Sequence, residues 1–245
     1  MDAIAPREAH AKAHRMITHE LPVADPKSNS RIPRHQPTPP PESPSGRTGG
    51  PDWWLMMKAF LKQGRQIASC APSSGPMARK MIEGIDWDNA KCIVELGAGT
   101  GPITAQLVRR LKPHTRALVI ELDPTLCARL RDRFQGIPNL DVIQGDATQF
   151  DKYLAERNLP QVDHVLSGLP LPSFPEGLRN AVLETSARAL GPQGTFRQLT
   201  VMPLIYYRLY ARYFNDVEFR FVPWNLPPGG VYLCRGFRGA TAPTK

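Results

Sequence analysis

Three glycines at alternate positions, Gly97, Gly99 and Gly101, follow a short apolar run that contains Glu95. Glycine adopts positive φ angles without strain and has no side chain to collide with a bound molecule. The loop therefore predicts a nucleotide-like ligand lying close to the backbone. A dinucleotide fingerprint needs its third glycine at position 102, which is Pro102 here. The spacing instead favours a ligand whose amino-acid moiety brings an ammonium group to the nearby carboxylate.

Two more carboxylates follow at the ends of the next two predicted strands. ALVIEL ends on Glu121, where a carboxylate can accept from both hydroxyls of a ribose, and Asp123 in the same turn is the alternative. LDVIQ is followed by Asp146 and Ala147, where a carboxylate can accept from the amino group of adenine. Ligands of open parallel sheets bind beyond the carboxyl ends of the strands, so the acids predict one shared site.

The elements that must position these residues can be predicted from the repeat of apolar residues, which alternates along the chain between the short period of strands and the longer period of helices. Strands are predicted near 91–96, 117–122, 140–145, 164–169 and 195–202, and helices near 102–112, 124–135, 151–157 and 177–190. A helical aromatic segment is predicted over 204–214, followed by strands at 217–224 and 230–237 that form an edge hairpin. The fold class is α/β and Rossmann-like, with a mostly parallel sheet and an antiparallel hairpin at its carboxyl-terminal edge.

The order VELGAGTG, IELD and GDAT resembles the first three motifs of class I S-adenosylmethionine-dependent methyltransferases, over about residues 91–150. The resemblance implies that S-adenosylmethionine is the cofactor. It also implies that Glu121 binds the ribose and that Asp146 binds the adenine. The full set of implied cofactor-binding residues is Glu95, Gly97, Gly99, Thr100, Gly101, Glu121, Asp146 and Ala147.

The end of the fourth predicted strand, SGLPL, bears on the substrate. Enzymes that methylate exocyclic base amines place Asn or Asp here, followed by x-Pro and an aromatic residue that stacks on the base. This chain has Gly168 and Leu171 at those positions. It therefore resembles ribosomal RNA adenine dimethylases in the first three motifs and departs from them at the motif that holds the base. We expect Gly168→Asn to crowd the substrate while leaving cofactor binding largely unchanged.

SGLPL, together with APSSG at 71–75, resembles the bacterial phospholipid N-methyltransferases over roughly residues 53–238. This resemblance implies successive methylation of phosphatidylethanolamine toward phosphatidylcholine at the membrane surface. The candidate catalytic residues are Ser167, Gly168, Leu169, Pro170 and Tyr206, and the candidate substrate-binding residues are Lys58, Lys62, Arg65, Ser73 and Ser74.

The residue that removes a proton from the cationic amine is not identified by the sequence. His164 begins the fourth predicted strand and is interpreted as structural. Tyr206, Tyr207 and Tyr210 are within a cluster that suits core packing or membrane contact, although one of them could approach the amine. Water is the remaining candidate.

Three segments are predicted: a disordered proline-rich tail at 1–51, an amphipathic membrane-binding helix at 52–68 and a methyltransferase domain at 69–240. In the helix, Trp53 and Trp54 lie on a broad apolar face, while Lys58, Lys62 and Arg65 group on the opposite side. Such a helix can lie among lipid headgroups, with its basic residues pairing with a lipid phosphate. A helix that only caps the methyltransferase core is the alternative.

The net charge of +9 favours an anionic partner, either a membrane surface or a nucleic acid, and charge alone does not choose between them. SGLPL at residues 167–171, hereafter the fourth motif, argues against a nucleic-acid substrate. No secretory signal and no bilayer-spanning run is evident, so we expect a cytoplasmic protein peripherally associated with the inner face of the cytoplasmic membrane. The four cysteines are expected to be buried thiols, and no metal is expected. The rival hypotheses are an RNA or protein methyltransferase and a cofactor-binding module without catalysis.

Overall fold

The computed structural model describes residues 75–159, 161–201, 206–225 and 227–238. The predicted tail at 1–51 and the predicted membrane-binding helix at 52–68 lie outside these residues, so both stay predictions. Within the described ranges, no helix combines the length and apolar character needed to cross a bilayer.

Strands and helices alternate through most of the described chain. The strands are β1 (Cys92–Leu96), β2 (Arg116–Glu121), β3 (Leu140–Gln144), β4 (Val162–Ser167), β5 (Leu190–Thr200), β6 (Phe214–Val222) and β7 (Gly229–Phe237). The α-helices are α1 (Gly75–Ile82), α2 (Pro102–Val108), α3 (Pro124–Arg133), α4 (Phe150–Ala155), α5 (Glu176–Ala189) and α6 (Tyr207–Tyr210), with 3₁₀ turns at Ala147–Gln149 and Leu171–Ser173.

The seven strands found in the described ranges form one sheet in the order β3-β2-β1-β4-β5-β7-β6. The strands β1 to β5 pair in parallel, whereas β7 lies antiparallel between β5 and β6. The predicted fold class is therefore confirmed, including the antiparallel hairpin at the edge of the sheet. The parallel strands bring the ends of β1, β2, β3 and β4 to one edge, which is where the predicted cofactor-binding residues occur.

The helical segment predicted over 204–214 is wrong in its extent, because α6 is a single turn and Phe214 begins β6. The backbone of Phe214 pairs with Phe237, and its ring stacks on Phe196 at 5.6 Å between ring centroids. Strand pairing and burial of this ring favour the extended conformation. The strand predicted near 164–169 also ends earlier, at Ser167, which leaves Gly168 and Leu169 in a loop.

Apolar residues cover both faces of the sheet. One face carries a cluster rich in aromatic rings that packs with α5 and α6, including Phe150, Phe174, Phe196, Tyr210, Phe214 and Tyr232. The other face packs against α1 and α2 through Met77, Met81, Ile93, Ile103, Leu107 and Leu166. The cysteines in the described ranges, Cys92, Cys127 and Cys234, are buried free thiols as predicted.

Arg197 on β5 is a buried cation that joins α1 to the sheet. Its Nη1 donates to the carbonyl oxygens of Met81 (3.0 Å) and Glu83 (2.7 Å), which lie at and just beyond the end of α1. Its Nε donates to Thr195 Oγ1 at 3.2 Å. Burial lowers the pKa of Arg197 to about 10, so the guanidinium remains charged at neutral pH. A cation suits the carbonyl end of a helix dipole.

We expect Arg197→Met to lower the free energy of unfolding by about 1.5–3 kcal/mol, because two buried carbonyl groups lose a charged donor. Chemical denaturation monitored by circular dichroism measures this loss. The matched control is Arg235→Met, since Arg235 pairs with Asp216 while its side chain is 42% exposed. Exposed pairs contribute about 0–1 kcal/mol, so equal losses in the two variants would contradict the anchoring role of Arg197.

Candidate active site

The glycine loop (residues 97–101) connects β1 to α2 and has positive φ angles at each of its three glycines: Gly97 (70°), Gly99 (60°) and Gly101 (82°). A β-carbon on Gly97 would overlap the side chain of Leu169, and one on Gly101 would lie 2.7 Å from Leu130 Cδ2. A β-carbon on Gly99 would meet no atom within 4 Å. Space beside Gly99 is therefore open, and the loop presents bare backbone there.

Glu121 fixes the position of the glycine loop. Its Oε2 accepts from the Gly99 N–H at 2.8 Å, and its Oε1 accepts from the Asp123 N–H at 2.9 Å. A carboxylate has about four acceptor positions, so two remain available to ligand hydroxyls. The Asp123 side chain, the alternative ribose ligand, caps α3 by accepting from the Leu126 N–H at 3.0 Å. This geometry favours Glu121 over Asp123.

Glu95 is fully buried on the face of β1 that packs against α2. Its Oε2 accepts from Thr104 Oγ1 at 2.7 Å, while its Oε1 is buried and has no hydrogen-bond partner in the described part of the chain. Burial raises the pKa of Glu95 to about 8, partly offset by the bond from Thr104. A carboxyl group in this state is suited to a cationic ligand group, which would favour its ionised form.

Asp146 follows β3 and begins the 3₁₀ turn at Ala147–Gln149. Its Oδ1 accepts from the Thr148 N–H at 2.9 Å, and its backbone N–H donates to the hydroxyl of Tyr153. Its Oδ2 is buried and has no partner among the residues described. The local hydrogen bonds hold the carboxylate in place and leave one oxygen available to a ligand donor.

These observations fit S-adenosylmethionine. The glycine loop leaves open space at Gly99, Glu121 retains acceptor positions for the ribose hydroxyls, and buried oxygens of Glu95 and Asp146 await donors of the kinds that an ammonium and an adenine provide. Ala147 and Thr100, the remaining predicted cofactor-binding residues, offer no comparable side-chain acceptor. Ala147 is partly buried against the aromatic-rich cluster, and the Thr100 carbonyl accepts from Arg133 Nη1 at 2.9 Å.

The loop after β4 (residues 168–170) lies against the glycine loop. The Gly168 N–H donates to the Leu96 carbonyl at 2.9 Å, and a β-carbon on Gly168 would lie 2.7 Å from the Gly97 carbonyl oxygen. A side chain here would push on the glycine loop, which argues against the expectation that Gly168→Asn leaves cofactor binding unchanged. Pro170 precedes the 3₁₀ turn, and Leu171 within it is fully buried, so Leu171 presents no surface for stacking on a base.

Gln198 on β5 is a fully buried polar residue beside this loop that sequence reasoning missed. Its Nε2 donates to the Leu169 carbonyl at 2.7 Å and to the Leu199 carbonyl at 2.9 Å. Ser167, the last residue of β4, is also fully buried, and its pairing register places it directly beside Gln198. No local signal marks Gln198, because Thr195, Arg197 and Thr200 make polar residues frequent along β5.

The candidate bases differ in their surroundings. His164 Nδ1 lies 2.8 Å from Thr195 Oγ1, and burial together with the charge of Arg197 lowers its pKa to about 4, consistent with the structural interpretation. Tyr206 precedes α6, is partly buried against the aromatic-rich cluster, and its carbonyl accepts from the Leu209 N–H at 3.0 Å. Its predicted catalytic role stays a prediction.

The predicted substrate-binding residues Lys58, Lys62, Arg65, Ser73 and Ser74 lie outside the described residues. Within the described ranges, no group of three or more His, Cys, Asp or Glu side chains is placed to hold a metal ion.

Comparison with known proteins gives two kinds of relative. The family model for ribosomal RNA adenine dimethylase matches residues 76–168. The ornithine lipid N-methyltransferase of Singulisphaera acidiphila is 46% identical over 187 residues, which cover 76% of this chain and 97% of that protein. A probable ribosomal RNA small subunit methyltransferase A of Methanosarcina acetivorans is 35% identical over 123 residues, covering 44% of this chain and 42% of that protein.

Among solved structures, the O-methyltransferase from Bacillus cereus in complex with SAH matches with a TM-score of 0.52 at 15% identity, covering 71% of this chain and 89% of that one. Precorrin-6y C5,15-methyltransferase from Geobacter metallireducens matches with a TM-score of 0.50, covering 65% and 87% of the two chains. These structural matches show the fold. The match to the Singulisphaera protein extends over nearly the whole length of that protein.

We expect Glu121→Gln to weaken cofactor binding at least about tenfold, which corresponds to 1.4 kcal/mol. The amide retains one oxygen, so either the Gly99 N–H or the Asp123 N–H would face an NH₂ group, and the charge that strengthens hydrogen bonds to a ribose is lost. Isothermal titration with S-adenosylmethionine measures the affinity. Asp123→Asn is the control, since Asn caps helices as well as Asp does. A larger loss of affinity in Asp123→Asn than in Glu121→Gln would indicate that Asp123, and not Glu121, binds the ribose.

We expect Gly168→Ala to weaken S-adenosylmethionine binding by about tenfold or more, because the added β-carbon displaces the Gly97 carbonyl and with it the glycine loop. The same titration measures this loss. The matched control is Gly177→Ala on α5, where a β-carbon would meet no atom within 4 Å. If Gly168→Ala and Gly177→Ala bind the cofactor equally well, the close approach of the two loops does not matter for binding.

Proposed function

This chain belongs to the same family as the ornithine lipid N-methyltransferase of Singulisphaera acidiphila, and we propose that it transfers methyl groups to the primary amine of a membrane lipid. The observation that carries the proposal is 46% identity to that enzyme over 97% of its length. Ornithine lipid and phosphatidylethanolamine both carry an aliphatic primary amine. The relative favours ornithine lipid, and the SGLPL resemblance favours phosphatidylethanolamine with successive transfers toward phosphatidylcholine.

S-adenosylmethionine is the cofactor, as predicted, and when bound it supplies an electrophilic methyl group on a sulfonium sulfur. We assign its ribose to Glu121, its adenine to Asp146 and its ammonium to Glu95. Displacement at a methyl carbon depends mainly on how the amine and the methyl group are positioned, so few catalytic side chains are needed. The amine is protonated near neutral pH and must first lose a proton.

The fourth motif supports a lipid amine over a nucleobase. Gly168 offers no side chain to accept from an exocyclic amine, and Leu171 is buried within the aromatic-rich cluster. The match to ribosomal RNA adenine dimethylase covers residues 76–168 and ends before Leu171. The matched range includes the glycine loop, Glu121 and Asp146, and it does not reach position 171, where an aromatic residue would stack on a base.

The experiment incubates purified protein and labelled S-adenosylmethionine with vesicles containing ornithine lipid, vesicles containing phosphatidylethanolamine, or total RNA. Label in the chloroform phase is the expected result, and the two lipid arms decide between the substrates. Label in RNA would replace the proposal with the nucleic-acid alternative. Cofactor binding by calorimetry without transfer in any arm would indicate a binding module.

A second part of the proposal concerns how the protein reaches its substrate at a membrane. The turn between β6 and β7 projects from the carboxyl edge of the sheet, because β5 and β6 end there and β7 begins there. Trp224 in this turn is 86% exposed, and two other exposed apolar residues occur at the same edge of the sheet: Phe221 near the end of β6 and Val201 just after β5. Tryptophan at an exposed tip is typical of residues that enter the headgroup layer. We propose that this tip acts together with the amphipathic helix at 52–68.

We expect the protein to sediment with anionic vesicles, less so at high salt, since each basic residue near such a surface contributes about 1 kcal/mol that salt screens. Deleting residues 1–50 should change sedimentation little, and deleting 1–68 should remove most of it. Trp224→Ser should lower it further. The matched control is Phe237→Ser, an exposed ring at the opposite edge of the hairpin. Unchanged sedimentation without residues 1–68 would disprove the role of the helix.

A further inference from the structure

A row of side chains crosses the sheet at its carboxyl edge. Leu96 on β1, Ser167 on β4, Gln198 on β5 and Tyr232 on β7 are successive register partners. Register partners on neighbouring strands place their side chains on the same face, about 5 Å apart. Ser167 and Gln198 are therefore neighbours at the strand end that precedes the loop at 168–170, which lies against the glycine loop.

The orientation of the Gln198 amide is fixed by its hydrogen bonds. Both hydrogens of Nε2 are used, one toward the Leu169 carbonyl and one toward the Leu199 carbonyl. A flipped amide would place Oε1 against two carbonyl oxygens, which repel it. The free atom of this side chain is therefore an acceptor, Oε1.

Within the described ranges, neither acceptor of this pair has its hydrogen-bonding capacity satisfied. Gln198 Oε1 and Ser167 Oγ are buried and have no hydrogen-bond partner among the residues that the structure describes. Buried polar atoms normally have partners, so an unsatisfied pair beside a ligand site indicates that a ligand supplies the donors. Both atoms can accept from N–H groups.

We propose that Gln198 Oε1 and Ser167 Oγ, hereafter the acceptor pair, bind the N–H groups of the substrate amine and direct its lone pair toward the transferable methyl group. This inference rests on the proposed function. The amine first loses a proton to solvent. Its lone pair then forms the N–C bond while the S–C bond breaks and leaves its electron pair on sulfur, giving S-adenosylhomocysteine and a methylated ammonium.

The acceptor pair has a consequence for successive transfers. A neutral primary amine has two N–H groups, a monomethylated amine has one and a dimethylated amine has none. The pair therefore orients the first substrate with two hydrogen bonds, the second with one and the third with none. Loss of an acceptor should slow the first transfer most and the third least.

The test is Ser167→Ala, which removes a hydroxyl that makes no hydrogen bond in the described structure. Its kcat/KM is measured on vesicles containing ornithine lipid or phosphatidylethanolamine and on the monomethylated and dimethylated forms of the same lipid. We expect about a five- to tenfold loss on the unmethylated lipid and less than about twofold on the dimethylated lipid. Cofactor affinity by calorimetry should be unchanged.

Ser186→Ala is the matched control, because Ser186 is equally buried but donates to the Val182 carbonyl within α5. It should leave the ratio of rates on the three lipids unchanged. Gln198→Met is the second variant and should slow the first transfer at least as much as Ser167→Ala, with an additional cofactor effect through Leu169.

Equal rate losses on all three lipids in Ser167→Ala, or no loss, would overturn the acceptor pair while leaving the proposed function intact. No transfer by the unaltered protein to either unmethylated lipid would overturn the proposed function and the acceptor pair together.

Discussion

The carboxylate of Glu121 holds the site together, because it joins the glycine loop to the turn after β2. Its two oxygens accept from the Gly99 and Asp123 amides, and the Glu121 carbonyl accepts from the Gly145 N–H that leads into Asp146. One residue thus positions the loops after three neighbouring strands. Parallel pairing of β1, β2 and β3 brings these loops to one edge, but the Glu121 bonds fix their spacing, and the rest of the site is built around that spacing.

Buried acceptor atoms without hydrogen-bond partners lower the stability at this edge of the sheet. Glu95 Oε1, Asp146 Oδ2, Ser167 Oγ and Gln198 Oε1 are buried without partners among the described residues, and each such atom costs about 1–3 kcal/mol. A domain with about 5–15 kcal/mol of net stability tolerates few of them. Ligands that supply donors would explain why these four atoms lack partners next to the loops of the site. Arg197 shows the opposite arrangement, since its buried guanidinium donates to carbonyl groups that end α1.

The sequence predicted the cofactor, the glycine loop and the strands that end near the acids because these signals are local, while the binding roles of the individual residues stay proposals. Glycines that need positive φ angles, and acids that end apolar strands, can be recognised from neighbouring residues alone. The structure has positive φ angles at the three predicted glycines and ends β2 at Glu121. The extent of α6 and the role of Gln198 depend on contacts between distant segments. Phe214 is extended because Phe237 pairs with it, and Gln198 is positioned by Leu169. Neither pairing leaves a mark in local periodicity.

The fourth motif explains why polar contacts to a substrate amine would come from β4 and β5 and not from the loop after β4. Gly168 lies so close to the Gly97 carbonyl that no side chain fits, so this loop cannot carry the Asn or Asp that grips a base amine. A planar base needs a stacking surface and an in-plane acceptor at the loop itself, whereas an aliphatic amine needs only acceptors arranged around a tetrahedral nitrogen. Ser167 and Gln198 can provide those acceptors from within the sheet. Rigid strands place them more accurately than a loop would.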